Sequence, residues 1–184
     1  LDINYRSNNT IVDFVRTAGY SEKLQSFSSE LRLDFDTLVA EERPNEWPDA
    51  LYWTPSWGSF LDPSFPAVSF VYDDVLSNQV NEFEADAVAA MMWLLRSNLK
   101  DQLLNEKKPD GTVRSRTGSL YDAEQFWRRA VGIVTPHRAQ RSKVVNRLRE
   151  IFPLDPSKDI YDAVDTVERY QGQQRDVIVA SFGI

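Results

Sequence analysis

Residues 130–140 read Ala-Val-Gly-Ile-Val-Thr-Pro-His-Arg-Ala-Gln (AVGIVTPHRAQ), and the step from apolar run to Thr-Pro to helical pattern decides the fold class. Ala130 to Thr135 is short, apolar and β-branched, which is how a buried strand reads. Thr135 suits a helix N-cap, and Pro136 fits the first helical position, where its fixed φ is already correct and its missing N–H is not needed. Val144, Val145, Leu148 and Ile151 then give the following helix one apolar side. A strand passing directly into a helix is the repeating unit of a parallel sheet.

Working outward, Ala163 to Val167 (AVDTV) and Asp176 to Phe182 (DVIVASF) are two further strand candidates. On the N-terminal side a short helix is expected from Asp122 to Arg129, preceded by a polar loop, Asn105 to Ser119, with a turn at Asp110-Gly111. Asn81 with Glu84 has capping-box spacing. Ala85, Val88, Ala89, Met92, Leu95, Leu99 and Leu103 then repeat at helical intervals, predicting one long helix. Ala67 to Tyr72 (AVSFVY) reads as a buried strand. Ser26 to Pro66, with Pro44, Pro48, Pro55, Pro63 and Pro66 around Trp47, Trp53 and Trp57, reads as an irregular insertion whose tryptophans serve packing. A first helix is expected over Ile11 to Ala18, capped by Ser7, Asn8 or Asn9 and closed by Gly19. Strands alternating with helices predict an α/β domain with a mostly parallel sheet covered on both faces. No internal repeat or low-complexity tract interrupts it.

Composition narrows the chemistry. The 184 residues carry 21 Lys plus Arg against 28 Asp plus Glu, a net charge of −7, which argues against binding nucleic acid through bulk charge. There is no cysteine, which excludes disulfides, thiolate metal sites and cysteine nucleophiles, and a single histidine excludes a His-rich metal centre. No apolar run approaches the roughly 18 residues that cross a bilayer, and the first residues lack the features of a signal peptide, so a cytoplasmic protein without membrane partners is expected. The chain opens at Leu1 inside a polar motif and stops at Ile184 just after an apolar run, and it reads as a piece of a larger protein.

In a doubly wound sheet, ligands collect at the carboxyl ends of strands, where helix N-termini expose backbone N–H groups. Three polar clusters are expected there: Asn4-Tyr5-Arg6-Ser7, Thr135 to Gln140, and Asp165-Thr166 with Arg169 to Gln174. They offer arginines for phosphate, a tyrosine for stacking on a base, threonine hydroxyls and a glycine that admits close backbone approach. The chemistry they suit is phosphate binding, and the residues by themselves lead no further.

At these positions the sequence resembles a family. LDINYRSNNTIVDFV (1–15) is similar to the superfamily I helicase motif L-x-x-N-Y-R-S, VGIVTPHRAQ (131–140) to its motif IV, and VDTVERYQGQQRDVIVASF (164–182) to its motif V. AGYSEKL and NEFEADAV add support, while most of 26–66 and 105–119 falls outside the likeness. The forms of motifs IV and V are closest to the Upf/Nam-type branch, generally 5′-to-3′ translocases on DNA or RNA, with a UvrD-like C-terminal helicase domain.

The resemblance implies a fold and an activity. Residues 1–184 would form the second RecA-like (P-loop NTPase-type) motor domain, stopping before motif VI, with the insertion at about 26–66 and the loop at about 105–119. ATP and Mg²⁺ would be held mainly by the first motor domain of the parent chain, since no G-x-x-x-x-G-K-[ST] occurs in this sequence. The chain alone would then be inactive, while its parent would hydrolyse ATP to move along single-stranded nucleic acid, DNA more than RNA. Arg6 would be the catalytic arginine finger, and Tyr5, Gly172 and Gln174 would join it around the nucleotide. Gln174 stands where the family has a ribose-binding glutamate. Thr135, Pro136, His137, Arg138 and Thr166 would meet nucleic acid, and Gln140 and Gln171 would couple the two sites. No residue is expected to hold a metal. The alternative is a degenerate helicase-like module that clamps nucleic acid or protein without turnover.

Overall fold

The computed structural model describes residues 2–39, 42–73, 79–114 and 117–183. Residues 115 and 116 of the polar loop, and Ile184, lie outside them. The chain has an α/β, RecA-like fold of helices packed on mostly parallel strands. Its centre is a parallel three-stranded sheet, ordered β6-β5-β7, built from β5 (Val131–Thr135), β6 (Val164–Thr166) and β7 (Val177–Ala180). Two smaller ladders stand apart from it. β1 (Ile3–Asn4) runs parallel to β2 (Gln25–Ser26), and β3 (Arg32–Phe35) runs antiparallel to β4 (Leu99–Leu104). The strands therefore do not join into the single sheet that the alternation suggested.

Local signals set several boundaries. Helix α1 (Asn9–Thr17) starts where Asn8 Oδ1 accepts from the Ile11 N–H at 3.0 Å, and it ends at Gly19, whose φ of +98° is the left-handed turn that glycine enters without strain. Among the described residues of the Pro/Trp stretch, the regular elements beyond the end of β2 are β3 and the short α2 (Ser56–Phe60). Trp47 and Trp57 are buried, and Trp47 packs edge-on against Trp53 and Trp93 with ring centroids 4.9 and 5.1 Å apart. Arg147 Nη2 donates to the Ala50 carbonyl at 2.6 Å and ties this stretch to α5 (Arg138–Ile151).

Helix α3 (Glu82–Asn98) begins as predicted, Asn81 Oδ1 accepting from the Glu84 N–H at 3.0 Å. It does not run on to Leu103. At Asn98 the chain turns extended into β4, where Leu103 pairs with Leu33 and Leu99 with Phe35. A spacing of four residues keeps Leu99 and Leu103 on one face of a helix and equally on one face of a strand, so apolar spacing could not separate the two. Asn98 makes the break, its Nδ2 donating to the Leu94 carbonyl at 3.0 Å and its Oδ1 accepting from Thr37 Oγ1 at 2.7 Å.

The predicted buried strand at 67–72 is corrected outright. The segment pairs with no strand among the described residues and is largely exposed, Val71 to 88%. Its aromatic side chains find other partners. Phe70 stacks on Trp57 and Phe83 at 5.9 and 6.0 Å, and Tyr72 Oη donates to Glu84 Oε1 at 2.8 Å. Strand propensity favours an extended backbone, but a ladder forms only where another strand lies in register alongside it.

Three smaller corrections follow. The Asp122 helix is α4 (Ala123–Gln125) running into a π-helical turn, Phe126–Ala130, that delivers the chain to β5. The cap of α5 is His137 rather than Thr135, which remains the last residue of its strand. The AVDTV strand is only Val164–Thr166, flanked by α6 (Ser157–Ala163) and α7 (Val167–Tyr170). The loop after β4 turns at Gly111 (φ +84°) as expected, with Lys107 bridged to Val113. The core lies between α3, α5 and the central sheet, around Trp127, Phe126, Met92, Leu95, Ile133 and Leu148.

Candidate functional site

The sequence Asn4-Tyr5-Arg6-Ser7 folds as it does because Asn4 folds back on itself. Asn4 Oδ1 accepts from the N–H groups of Arg6 at 2.8 Å and Ser7 at 3.1 Å, a side-chain turn that ends β1 and aims the next two side chains outward. Tyr5, 64% exposed, leans on Phe27 with centroids 4.9 Å apart. The exposed Arg6 guanidinium meets Gln174. With its amide oxygen turned to the guanidinium, Gln174 accepts from the edge formed by Nε and Nη2, the latter at 2.7 Å. Residues 168 positions apart, and at opposite ends of the chain, thus form one contact.

Tyr5, Arg6 and Gln174 line a cleft of about 770 Å³ between the N-terminal ladder, the end of the Pro/Trp stretch and β7. Its walls carry Arg6, Arg32, Arg128, Arg129 and Arg175 against Asp62, Glu106 and Asp176, so it is locally basic in an acidic chain. Arg128 is paired with Asp159 at 2.9 Å and Arg32 with Glu30 at 3.5 Å. Arg175 instead donates only to neutral oxygens: Nε to the Val131 carbonyl at 3.1 Å, Nη1 to the Gln174 carbonyl at 2.7 Å, and Nη2 to Gln173 Oε1 at 2.9 Å. Deeper in, Tyr121 Oη donates to Asp176 Oδ2 at 2.6 Å. Burial raises the Asp176 carboxyl above the ordinary range, opposed by that hydrogen bond and by Arg129. Burial and the same carboxylate push the Tyr121 hydroxyl up.

A second cluster sits at the carboxyl ends of β5 and β6, where Thr135 and Thr166 are register partners. Both are buried, Thr135 to 0% and Thr166 to 9% exposure. Glu168 is held below the ordinary carboxylate range by its own backbone N–H and by the Thr166 hydroxyl. Pro136 and Arg138 are exposed and His137 half-buried, its N–H donating to Thr135 Oγ1 at 3.4 Å. Gln140 is fully buried. Its Oε1 accepts from the Asn81 N–H at 2.7 Å, and its Nε2 donates to the Asn81 carbonyl at 3.1 Å and to Ser181 Oγ at 3.0 Å. Ser181 Oγ in turn donates to Glu84 Oε2 at 2.5 Å. Gln140 therefore locks α3, α5 and the end of β7 together.

Between the clusters run Gln171 and Gly172, both exposed. Gly172 has φ +84° and nothing within 4 Å of where a Cβ would stand, so the turn needs glycine for its backbone angle and leaves open surface beside it. Gly132 differs. A Cβ there would lie 1.6 Å from Tyr170 Oη, so this glycine makes room for the buried ring ahead of the turn.

The structure thus brings Tyr5, Arg6 and Gln174 together, and Thr135, Pro136, His137, Arg138 and Thr166 together, with Gly172 and Gln171 on the connection. Sequence reading gave no role to Asn4, Arg175, Asp176 or Tyr121. Adjacency to Gln174 was the available signal for Arg175; nothing local links Tyr121 to Asp176. Among the described residues no group of three or more His, Asp or Glu is placed to hold a metal ion, and no helix is long and apolar enough to cross a membrane.

A protein-family profile described as an AAA domain matches residues 1–183, and the chain belongs to that family. The match makes it a superfamily I helicase-like domain. No curated protein and no solved structure matches it.

Proposed function

Starting from a helicase-like AAA domain, we propose that this chain is the second RecA-like motor domain of an ATP-dependent helicase and presents Arg6 to a nucleotide held largely by a first motor domain. The observation that supports this most is the Tyr5-Arg6-Gln174 group: an aromatic ring, a guanidinium and an amide on one cleft wall, fixed by the Asn4 turn and open to solvent. ATP with Mg²⁺ would supply the phosphoryl chemistry there. Arg6 would reach its phosphates, Tyr5 would pack on its base, and Gln174 would exchange Arg6 for a sugar hydroxyl.

An arginine finger acts by placing fixed positive charge where negative charge develops, and is worth roughly 10³ to 10⁵ in rate. The cleft offers guanidiniums, the groups that the receiving half of a shared site would contribute. On the second cluster, the exposed Pro136 and Arg138 and the half-buried His137 are the groups available to a nucleic-acid backbone. The buried Thr135 and Thr166 would act by holding those groups in place. Gln140, within the core, would carry strain between α5 and β7, and Gln171 would sense the nucleic-acid side. Single-stranded DNA is the partner we favour.

In the complete two-motor protein, Arg6→Ala is expected to lower ATP turnover at least about 100-fold while single-strand binding stays within a few fold. Near-normal turnover in that variant overturns the proposal. The rival reading, a clamp without turnover, draws on the neutral Gln174 in place of a glutamate. A wild-type complete two-motor protein with no ATP hydrolysis would favour it.

A further inference from the structure

Arg6 and Arg175 both contact Gln174 on the wall of one cleft, and both are held by neutral acceptors only: a side-chain amide for Arg6, and two carbonyls and an amide for Arg175. Neither makes an ion pair with a carboxylate among the described residues, unlike Arg32 and Arg128 of the same cleft. An amide oxygen fixes the direction of a guanidinium but cancels none of its charge, whereas a carboxylate at the same distance would neutralise it and have to be displaced before a ligand anion could bind. We propose that Gln174 is a charge-sparing positioning residue and that Arg6 and Arg175 together form a docking site for the polyphosphate chain of a nucleotide. The inference rests on the motor-domain reading for the identity of the nucleotide, though not for the anion chemistry. Arg175 thereby supplies, from within this chain, a second cation beside Arg6.

The site reads three ways. Arg175 is half-buried and anchored to the first residue of β5, so its charge has a fixed position relative to the sheet. Arg6 is exposed and can swing from Gln174 to a phosphate oxygen at the cost of one neutral contact. Gln174, in contact with both, determines how much net positive charge the pair retains.

The probe is sodium tripolyphosphate, which has no base or sugar, with ATP as a second arm. Each is titrated into the chain at low salt and followed by the arginine Nε–H NMR signals. Arg175→Ala and Arg6→Ala should each weaken tripolyphosphate binding about tenfold, the worth of one charge-assisted contact. Gln174→Glu should weaken it about tenfold as well, and the deficit should shrink as salt is added. Gln174→Ala, which removes the contact without adding charge, should bind at least about threefold tighter than Gln174→Glu. Equal losses for Gln174→Ala and Gln174→Glu, or binding indifferent to Arg175, would overturn the proposal. Should Arg175→Ala unfold the chain, the Ala-versus-Glu comparison at position 174 decides alone. Tripolyphosphate binding that depends on Arg6, Gln174 and Arg175 in a parent whose turnover ignores Arg6 would sink the finger reading and leave the anion site standing. ATP ranked in the same order as tripolyphosphate supports the polyphosphate chain as the shared chemistry.

Discussion

The two polar regions of this domain differ in who satisfies their hydrogen bonds. At the ends of β5 and β6 the chain satisfies itself: Gln140 spends both ends of its amide on Asn81 and Ser181, and the Thr135 hydroxyl oxygen accepts from the His137 N–H. Around Arg6 and Arg175, apart from the buried Val131 that anchors Arg175, the partners belong to the exposed Gln173 and Gln174, whose amides and carbonyl a stronger acceptor could replace. One motif glutamine, Gln140, is therefore framework, and another, Gln174, is surface, although both sit in motifs that the resemblance links to function. Matching a motif does not say on which side of the solvent boundary its residues lie.

Gln140→Ala is the severest way to test that contrast. It removes the buried amide that bonds the Asn81 backbone and the Ser181 hydroxyl, leaving the Ala85 N–H on the Asn81 carbonyl and Glu84 on Ser181, and should cost about 3 kcal/mol in urea unfolding. Gln171→Ala, on the exposed connection, should stay within about 0.5 kcal/mol. Equal effects would erase the distinction. Gly172→Ala comes next: with open space around it, only the positive φ opposes the substitution, and a loss of about 1 to 2 kcal/mol is expected.

Asp176 sharpens the comparison through pH. Burial holds its carboxyl above the ordinary value, so protonation favours the folded state. That contribution is fully present below the ordinary carboxylate value and is lost as pH rises through the raised folded value. Asp176→Asn keeps an acceptor for Tyr121 and should be at least as stable as the wild type at neutral pH, with the gap closing by about pH 4. A variant that is markedly less stable at neutral pH would show the charge to be favourable where it lies. Val71→Lys has the smallest expected effect, within about 0.5 kcal/mol, because that side chain is 88% exposed. A large loss would restore the buried strand that AVSFVY suggests.

Much of the local structure was legible in advance. Asn8 and Asn81 cap the helices they precede, Gly19 closes α1, and the apolar stripe Val144, Val145 and Leu148 is the buried side of α5. The place of the second cluster at strand ends followed from strand–helix alternation. Less legible were Leu99 and Leu103, whose spacing satisfies two periodicities, and Phe70 and Tyr72, whose rings turn to Trp57, Phe83 and Glu84 rather than to a neighbouring strand.

By itself the amino-acid order determined what operates within about four residues: caps, turns, the periodicity of α5, and the Asn4 turn that projects Tyr5 and Arg6. Its motifs also carried the family likeness. Only the tertiary structure decided which strands pair, that Gln140 lies in the core, and that Arg6 rests on Gln174. Those outcomes depend on partners 22 to 168 positions away. Burial and charge compensation are properties of the assembled surroundings, and no local pattern of side chains encodes them.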